Sequence, residues 1–78
     1  MIVDVHNLNV KEAIDLIKLE IKKAYKLNIT QIEVIHGFNG GGAIKKRLHE
    51  LKDPLVTSII CKPNNNGSSL INIKMKLF

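Results

Sequence analysis

The spacing of apolar residues changes repeatedly along this chain, and that alternation limits its possible folds more than any other feature. Runs rich in β-branched residues lie at residues 2–5, 30–35 and 56–61, as is typical of short strands. Between the first two runs, apolar residues recur at helical spacing over residues 10–27, with lysines off that stripe. A shorter helical pattern follows residue 42. The chain therefore predicts strands that alternate with helices, as in α/β proteins.

Polar residues mark the ends of both predicted helices. Asn9 followed by Glu12 resembles a capping box at the start of the first helix, and Asn28 is a plausible stop. The second helix is predicted to start at the glycines. Asp53 and Pro54 are predicted to end it, because the residue before a proline is pushed out of the helical region.

The end of the chain is predicted to form a hairpin. Residues 63–68 read as a polar turn, and residues 70–77 alternate apolar with polar side chains, as in a strand with one solvated face. Right-handed crossovers make the first strands parallel and leave the final strand antiparallel. Because 78 residues suffice for one core, we predict a single α/β domain over residues 1–78. It has two layers, with a mixed four-stranded sheet and two helices in the order β-α-β-α-β-β.

The charge balance restricts the partners of such a domain. A net charge of +5 favours anionic partners, namely DNA, RNA or the ribosome. No apolar stretch approaches the length of a membrane span, so we expect no membrane partner and a cytoplasmic location. Cys61 is the single cysteine, which excludes an intrachain disulfide and a thiolate metal cluster. We expect it to be a small buried hydrophobic residue.

Two histidines stand at the carboxyl ends of predicted parallel strands, where ligands bind in such sheets. His6 follows the first strand and His36 ends the second, so both are expected at one edge. Asp4 shares a strand face with His6, where its carboxylate can hold the imidazolium form. A simple strand-end cap is the alternative interpretation. No cofactor is firmly implied; a divalent metal bound by these three side chains stays open, although hard cations prefer more oxygen ligands. His49 has no partner suggested by its spacing.

A run of glycines leads from the second strand into the second helix. Glycines at residues 40–42 let backbone N–H groups approach an anion at a helix N-terminus, which carries partial positive charge. A flexible loop is the alternative. Residues 45–47 are cations in the first turns of that helix, where they oppose the dipole at a cost of about 0.3–1 kcal/mol each. An anionic partner would offset that cost. The predicted nucleic-acid-binding residues are His36, Gly37, Asn39, Gly40, Gly41, Gly42, Lys45, Lys46 and Arg47.

These residues resemble the two motifs of the Smr (small MutS-related) domain family. The segment Val3-Asp4-Val5-His6-Asn7 is similar to the family's Leu-Asp-x-His-Gly motif, with asparagine in place of the glycine. The histidine and glycine at residues 36–37, with the glycines that follow, are similar to the second motif, in a loop one residue longer than the commonest form. The resemblance spans essentially the whole chain and identifies it as a stand-alone short form.

The resemblance implies a fold akin to the C-terminal domain of translation initiation factor three, together with nucleic-acid binding. Several members of the family are endonucleases that nick DNA or cleave RNA, and the resemblance implies this activity as well. Carried over by position, Asp4 and His6 would be the catalytic pair, and residues 36–42 the phosphate-binding loop. A non-catalytic module that binds nucleic acid or the ribosome through the same basic edge is the alternative function. An enzyme acting on small phosphorylated molecules is disfavoured, because 78 residues leave little depth for a pocket.

Overall fold

The order of secondary structure follows the prediction. A computed structural model describes residues 1–37 and 42–77 of the chain. Its elements are β1 (Ile2–Asp4), α1 (Val10–Lys26), β2 (Gln31–Ile35), α2 (Gly42–His49), β3 (Val56–Cys61) and β4 (Ser68–Ile73).

The four strands form one mixed sheet in the spatial order β1-β2-β4-β3. β1 and β2 are parallel, and β4 is antiparallel to both of its neighbours, β2 and β3. The prediction of parallel first strands and a closing antiparallel hairpin is therefore confirmed. The insertion of β4 between β2 and β3 brings the start of β4 beside the end of β2, where Ile35 pairs with Ser68.

One face of the sheet packs against both helices and forms the core. Alternate strand residues point to that face, as the pleat requires, and they are buried while their neighbours are not. We call this the helix face and the opposite side the open face. The helix-face residues that build the core of the sheet are Val3, Ile32, Val34, Ile71 and Ile73. Both helices contribute the other half of the core, namely Ala13, Ile14, Ile17, Ile21, Ala24, Ile44 and Leu48.

Helix α1 begins and ends where the sequence predicts. Asn9 Oδ1 accepts from the Glu12 N–H at 2.8 Å, and Glu12 Oε1 accepts from the Asn9 N–H at 3.3 Å, which completes the capping box. At the other end Asn28 has a φ of 59°, in the left-handed region. The Ile29 N–H then donates to the Ala24 carbonyl at 2.9 Å, as in a Schellman motif. Neither helix in the described part of the chain is long and apolar enough to cross a membrane.

Helix α2 is shorter than predicted and ends at His49 instead of at Asp53 and Pro54. The backbone N–H of Leu51 already donates to the Leu48 carbonyl three residues back, which tightens the last turn. The aspartate instead builds a turn of its own, since its Oδ1 accepts from the Leu55 N–H at 2.9 Å.

Strand β4 is displaced from the predicted residues 70–77. It starts at Ser68 and stops at Ile73, because its partners end there: Asn72 is paired with Gln31 and Ile73 with Val56. Beyond that point Met75 and Leu77 are exposed, although their alternation with lysines predicted strand. Alternation alone does not extend a strand past the end of its partners.

The prediction for Cys61 was wrong, since the thiol-bearing residue is exposed. Cys61 is the last residue of β3, an edge strand whose residues are half-buried or exposed. It lies opposite Ser69 of β4, its partner in the sheet.

Candidate functional site

The ends of β1 and β2 lie side by side at one edge of the sheet. Asp4 pairs with Ile35, and the Val5 N–H donates to the Ile35 carbonyl at 2.9 Å. A Cβ added to Gly37 would lie 3.4 Å from the Cβ of His6, so the two chain segments lie side by side with room for little more than a hydrogen atom between them. The strand ends that bear His6 and His36 are therefore neighbours, as predicted.

The turn between β3 and β4, residues 62–67, closes the same edge from the other side. The backbone N–H groups of His36 and Gly37 both donate to the Gly67 carbonyl, at 2.9 and 3.0 Å. Asn65 Oδ1 in turn accepts from the Gly67 N–H at 2.9 Å. Sequence reasoning assigned no role to this turn. This turn and the strand ends border an open cleft of about 330 Å³ beside Asp4 and His6.

Asp4 and His6 form a hydrogen-bonded pair on the open face. His6 Nδ1 lies 2.5 Å from Asp4 Oδ1, and the His6 backbone N–H donates to the same oxygen at 3.1 Å. Both side chains are about half exposed, at 47% and 50%. The hydrogen bonds from His6 lower the pKa of Asp4, which keeps the carboxylate ionised and able to hold the proton of Nδ1. In the neutral ring Nε2 then carries the lone pair and faces away from the carboxylate.

His36 lies on the helix face, opposite to the Asp4–His6 pair, and only 1% of it is exposed. Its Nε2 lies 3.0 Å from Ser69 Oγ, and its Nδ1 lies 3.2 Å from the Gly37 carbonyl. Nε2 of His49, which follows from α2, lies 2.8 Å from the same Ser69 oxygen. His36 therefore shares the edge with His6, while its side chain contacts protein and is withdrawn from the surface.

The partner of His49 was missed by the sequence analysis. Spacing within α2 says nothing about β4, and the signal that existed was the pair Ser68-Ser69, two polar residues at the start of an otherwise apolar strand. Both serines are buried, and a buried hydroxyl requires hydrogen-bond partners. A neutral histidine ring can serve as such a partner in either direction, because one of its nitrogens donates a hydrogen bond and the other accepts one.

The surroundings of His36 and His49 lower the pKa of both rings. Burial is the largest cause for His36, and the nearby charge of Lys45 adds to it, while the hydrogen bond to the Gly37 carbonyl acts in the opposite direction. For His49, which lies at the surface with its ring partly covered, that partial burial comes first, followed by Lys45 and His36. Both rings are therefore neutral near pH 7.

The glycine segment is described only at its two ends. Gly37 has a φ of +87°, which a residue with a side chain adopts only with strain, and Gly42 is the first residue of α2. Around Gly42, no described heavy atom comes within 4 Å of an added Cβ. The predicted binding residues Asn39, Gly40 and Gly41 lie outside the described residues.

The three consecutive cations of α2 point in different directions. Successive residues of a helix are separated by about 100° around its axis, so three in a row cannot face one phosphate. Lys45 is half-buried and lies close enough to His36 and His49 to affect their pKa values. Arg47 instead borders a groove between α1 and α2, together with Lys11 and Lys18. Because α2 ends at His49, Lys46 and Arg47 lie in its last turn, where cations favour the helix dipole, so the dipole cost predicted for them was wrong. The predicted set thus divides into separate positions on the surface.

A metal site is not built by the described residues. Within residues 1–37 and 42–77, no group of three or more His, Cys, Asp or Glu side chains could hold an ion. Asp4 and His6 face one side of the sheet and His36 the other, so the three side chains considered for a metal do not converge.

Comparison with known proteins agrees with this architecture. The structure is similar to that of the Smr domain of Thermus thermophilus MutS2, with a TM-score of 0.80 and 24% sequence identity over 94% of this chain and 96% of that one. No curated protein sequence matches the chain. The family model described as "Smr domain" matches residues 3–69, from β1 into β4, including both strand ends of the site. The chain belongs to the Smr domain family.

Proposed function

We propose that this chain, acting as one Smr domain over residues 1–78, binds nucleic acid at the edge formed by the ends of β1 and β2. We further propose that Asp4 and His6 cleave phosphodiester bonds there, which would make it an endonuclease acting on DNA or RNA. The family is known generally as a nucleic-acid-binding or endonuclease-like module. The observation that carries the proposal is the Asp4–His6 pair, which is ordered by two hydrogen bonds and still half exposed.

Binding is supported by charge and by backbone geometry. The net charge of +5 attracts polynucleotides through phosphate neutralisation, which depends little on sequence. The start of α2 at Gly42 offers N–H groups and the positive end of a helix dipole to a phosphate. Lys45 lies one turn further along, and Arg47 with Lys18 extends positive charge into the groove beside α1.

Cleavage is supported by the arrangement of protons at His6. With Nδ1 donating to Asp4, Nε2 can take the proton of an attacking hydroxyl or water as the new oxygen–phosphorus bond forms. The same nitrogen can return that proton to the leaving oxygen as the old oxygen–phosphorus bond breaks. Asp4 fixes the ring tautomer and stabilises the imidazolium that exists between the two transfers. The N–H groups at the start of α2 and Lys45 would stabilise the phosphate charge.

The test is a cleavage assay with supercoiled plasmid and structured RNA, each with and without Mg²⁺. The parent protein is compared with His6→Ala and with His6→Asn, whose amide nitrogen can replace Nδ1 as the donor to Asp4 but exchanges no proton near neutral pH. Both variants should lose about 10²-fold or more in rate, the scale of a positioned acid–base group, and should keep their affinity.

The binding-only alternative predicts a different outcome from the same samples. If the parent and both variants show an equal trace of cleavage, that trace is a contaminant, and the domain is a non-catalytic module for nucleic acid or the ribosome. If the parent binds neither substrate at low salt, both functions are contradicted.

A further inference from the structure

Three side chains between the helix face of the sheet and α2 form a continuous chain of hydrogen bonds, which we call the relay. It runs from His49 Nε2 to Ser69 Oγ at 2.8 Å, from Ser69 Oγ to His36 Nε2 at 3.0 Å, and from His36 Nδ1 to the Gly37 carbonyl at 3.2 Å. Ser69 is fully buried, and His49 reaches it from the surface of α2. The relay thus connects the end of α2 with the end of β2.

Each proton of the relay has one consistent position. The Gly37 carbonyl can only accept, so Nδ1 of His36 carries a proton. Because burial keeps this ring neutral near pH 7, its Nε2 carries the lone pair and accepts from the Ser69 hydroxyl. The Ser69 oxygen then accepts from the Nε2–H of His49. All the bonds point the same way, from α2 to the backbone of Gly37.

The acceptor at the end of the relay belongs to a residue beside the proposed site. Gly37 lies beside His6, since a Cβ added to Gly37 would be 3.4 Å from the Cβ of His6. It also has a left-handed backbone conformation and donates its N–H to the Gly67 carbonyl. The relay therefore holds the carbonyl of the residue that flanks His6, while the turn between β3 and β4 holds its N–H.

We propose that His49 and Ser69 are positioning residues of the nucleic-acid site. They fix the tautomer and orientation of His36, and His36 in turn holds Gly37 in place beside His6. Neither residue needs to touch the substrate. The proposal rests on the proposed function, since the site being positioned is the one assigned there to nucleic acid.

The relay also has a defined response to acid. A proton added to Nε2 of His36 would direct two N–H donors at the single Ser69 oxygen and force the hydroxyl hydrogen elsewhere. The titratable groups facing His36 are Lys45 and His49 of α2, and the charge of Lys45 opposes that proton. The relay should therefore persist through neutral pH and open in acid.

Two pairs of variants separate this role from a loss of packing. Ser69→Ala removes the central hydroxyl, whereas Ser68→Ala removes an equally buried hydroxyl that lies beside Ile35 on the open face. His49→Leu removes the donor to Ser69, whereas His49→Gln carries an amide N–H at a similar reach and should restore it. His49 is at the surface, so both of its variants are expected to fold.

The first measurement is the tautomer of His36, read from long-range ¹H–¹⁵N NMR spectra of the ring without nucleic acid. We expect a single Nδ1–H tautomer in the parent, Ser68→Ala and His49→Gln, and a mixture in Ser69→Ala and His49→Leu. The second is the affinity for a single-stranded RNA oligonucleotide together with its cleavage rate. Both should fall on the order of 10-fold in His49→Leu and recover in His49→Gln, because the site is misplaced rather than removed.

The outcomes distinguish the two proposals. A parent that binds RNA while Ser69→Ala and His49→Leu keep both its tautomer and its affinity overturns the positioning role. A parent with an Nε2–H tautomer of His36 overturns it as well. A parent that does not bind RNA at all contradicts the proposed function, and the tautomer comparison shows separately whether the relay exists.

Discussion

The two faces of the sheet each carry a histidine at the same edge, and the two histidines differ in exposure and in hydrogen bonding. On the open face His6 is about half exposed, and a single carboxylate, that of Asp4, orders it. On the helix face His36 is almost fully buried and is bonded at both nitrogens, to Ser69 and to the Gly37 carbonyl. The His6 ring is open to solvent, and the His36 ring is held neutral within the protein.

A thin two-layer domain can in this way keep a half-exposed histidine and a buried histidine apart at the same edge. Adjacent strand residues point to opposite faces, so a shift of one position along β1 or β2 exchanges solvent for core. His6 aligns with the open-face residue Asp4, and His36 aligns with the buried Val34. The exposure of His6 on the open face and the burial of His36 on the helix face follow from that alternation.

The largest expected effect concerns the three consecutive cations of α2. Changing Lys45, Lys46 and Arg47 together to glutamate takes the net charge from +5 to −1, since three changes of two charges each remove six. We expect oligonucleotide affinity at low salt to fall by about 10²-fold or more, because each lost phosphate contact also removes counterion release. Fluorescence anisotropy over a salt series measures the affinity and its slope.

The matched control for that prediction carries the same net charge at the far end of α1. Changing Lys22, Lys23 and Lys26 to glutamate also gives −1, but these residues lie in the last turns of the helix, away from the edge. An equal loss of affinity in both triple variants would show that net charge, and no particular edge, controls binding.

A second prediction compares the stability contributions of the two histidines. His36→Ala leaves the Ser69 hydroxyl without its acceptor in a buried site, so we expect it to lower the free energy of unfolding by roughly 1–3 kcal/mol. His6→Ala should change it by less than about 0.5 kcal/mol, because the side chain is half exposed. Urea unfolding monitored by circular dichroism gives both values. Equal losses would remove the distinction between the two faces.

A third prediction is the pH dependence of stability. The pKa values of His36 and His49 are lowered by folding from an ordinary value near 6.5, so between the two values the unfolded chain binds more protons. The stability from the neutral rings is therefore present above pH 6.5 and is lost as the pH falls toward the lowered pKa values. Urea unfolding at pH 7.5 and 5.5 should show the decrease in the parent and in His6→Ala. His36→Gln should reduce it.

The smallest effect is expected from the ion pair on the open face. Lys62 Nζ donates to Glu33 Oε1 at 3.0 Å, and the two side chains are 37% and 21% exposed. Solvent screening limits such a pair, so Lys62→Gln should cost between about 0 and 1 kcal/mol of unfolding free energy. A cost above that of His36→Ala would mean that the open face contributes more to stability than the relay does.

Much of the fold was readable from local pattern, as α1 shows. Its capping box, apolar stripe and left-handed Asn28 are all set by residues within the helix or next to it. The errors at the end of α2 and in β4 have another origin, because those bounds depend on where a partner stops. Cys61 was misassigned for a related reason: its exposure follows from the edge position of β3, which local residues do not encode.

In the candidate site, the local contact could be predicted from the sequence and the long-range contacts could not. The Asp4–His6 contact spans two residues of one strand and follows from alternation alone. The His36–Ser69 contact spans 33 residues, and His49–Ser69 spans 20. Both require the insertion of β4 between β2 and β3, which no local pattern indicated.

Nucleic-acid binding at the edge that carries Asp4 and His6 can be tested directly by a nuclear magnetic resonance titration of the three histidine rings. The ligand is an RNA oligonucleotide that is modified at its 2′-hydroxyls to resist cleavage. If nucleic acid binds at the Asp4–His6 edge, saturation should shift the His6 Nε2 resonance strongly, while His36 keeps its Nδ1–H tautomer and shifts little. Binding that leaves the His6 ring unchanged and instead perturbs only residues around the groove of Lys18 and Arg47 would contradict binding at this edge.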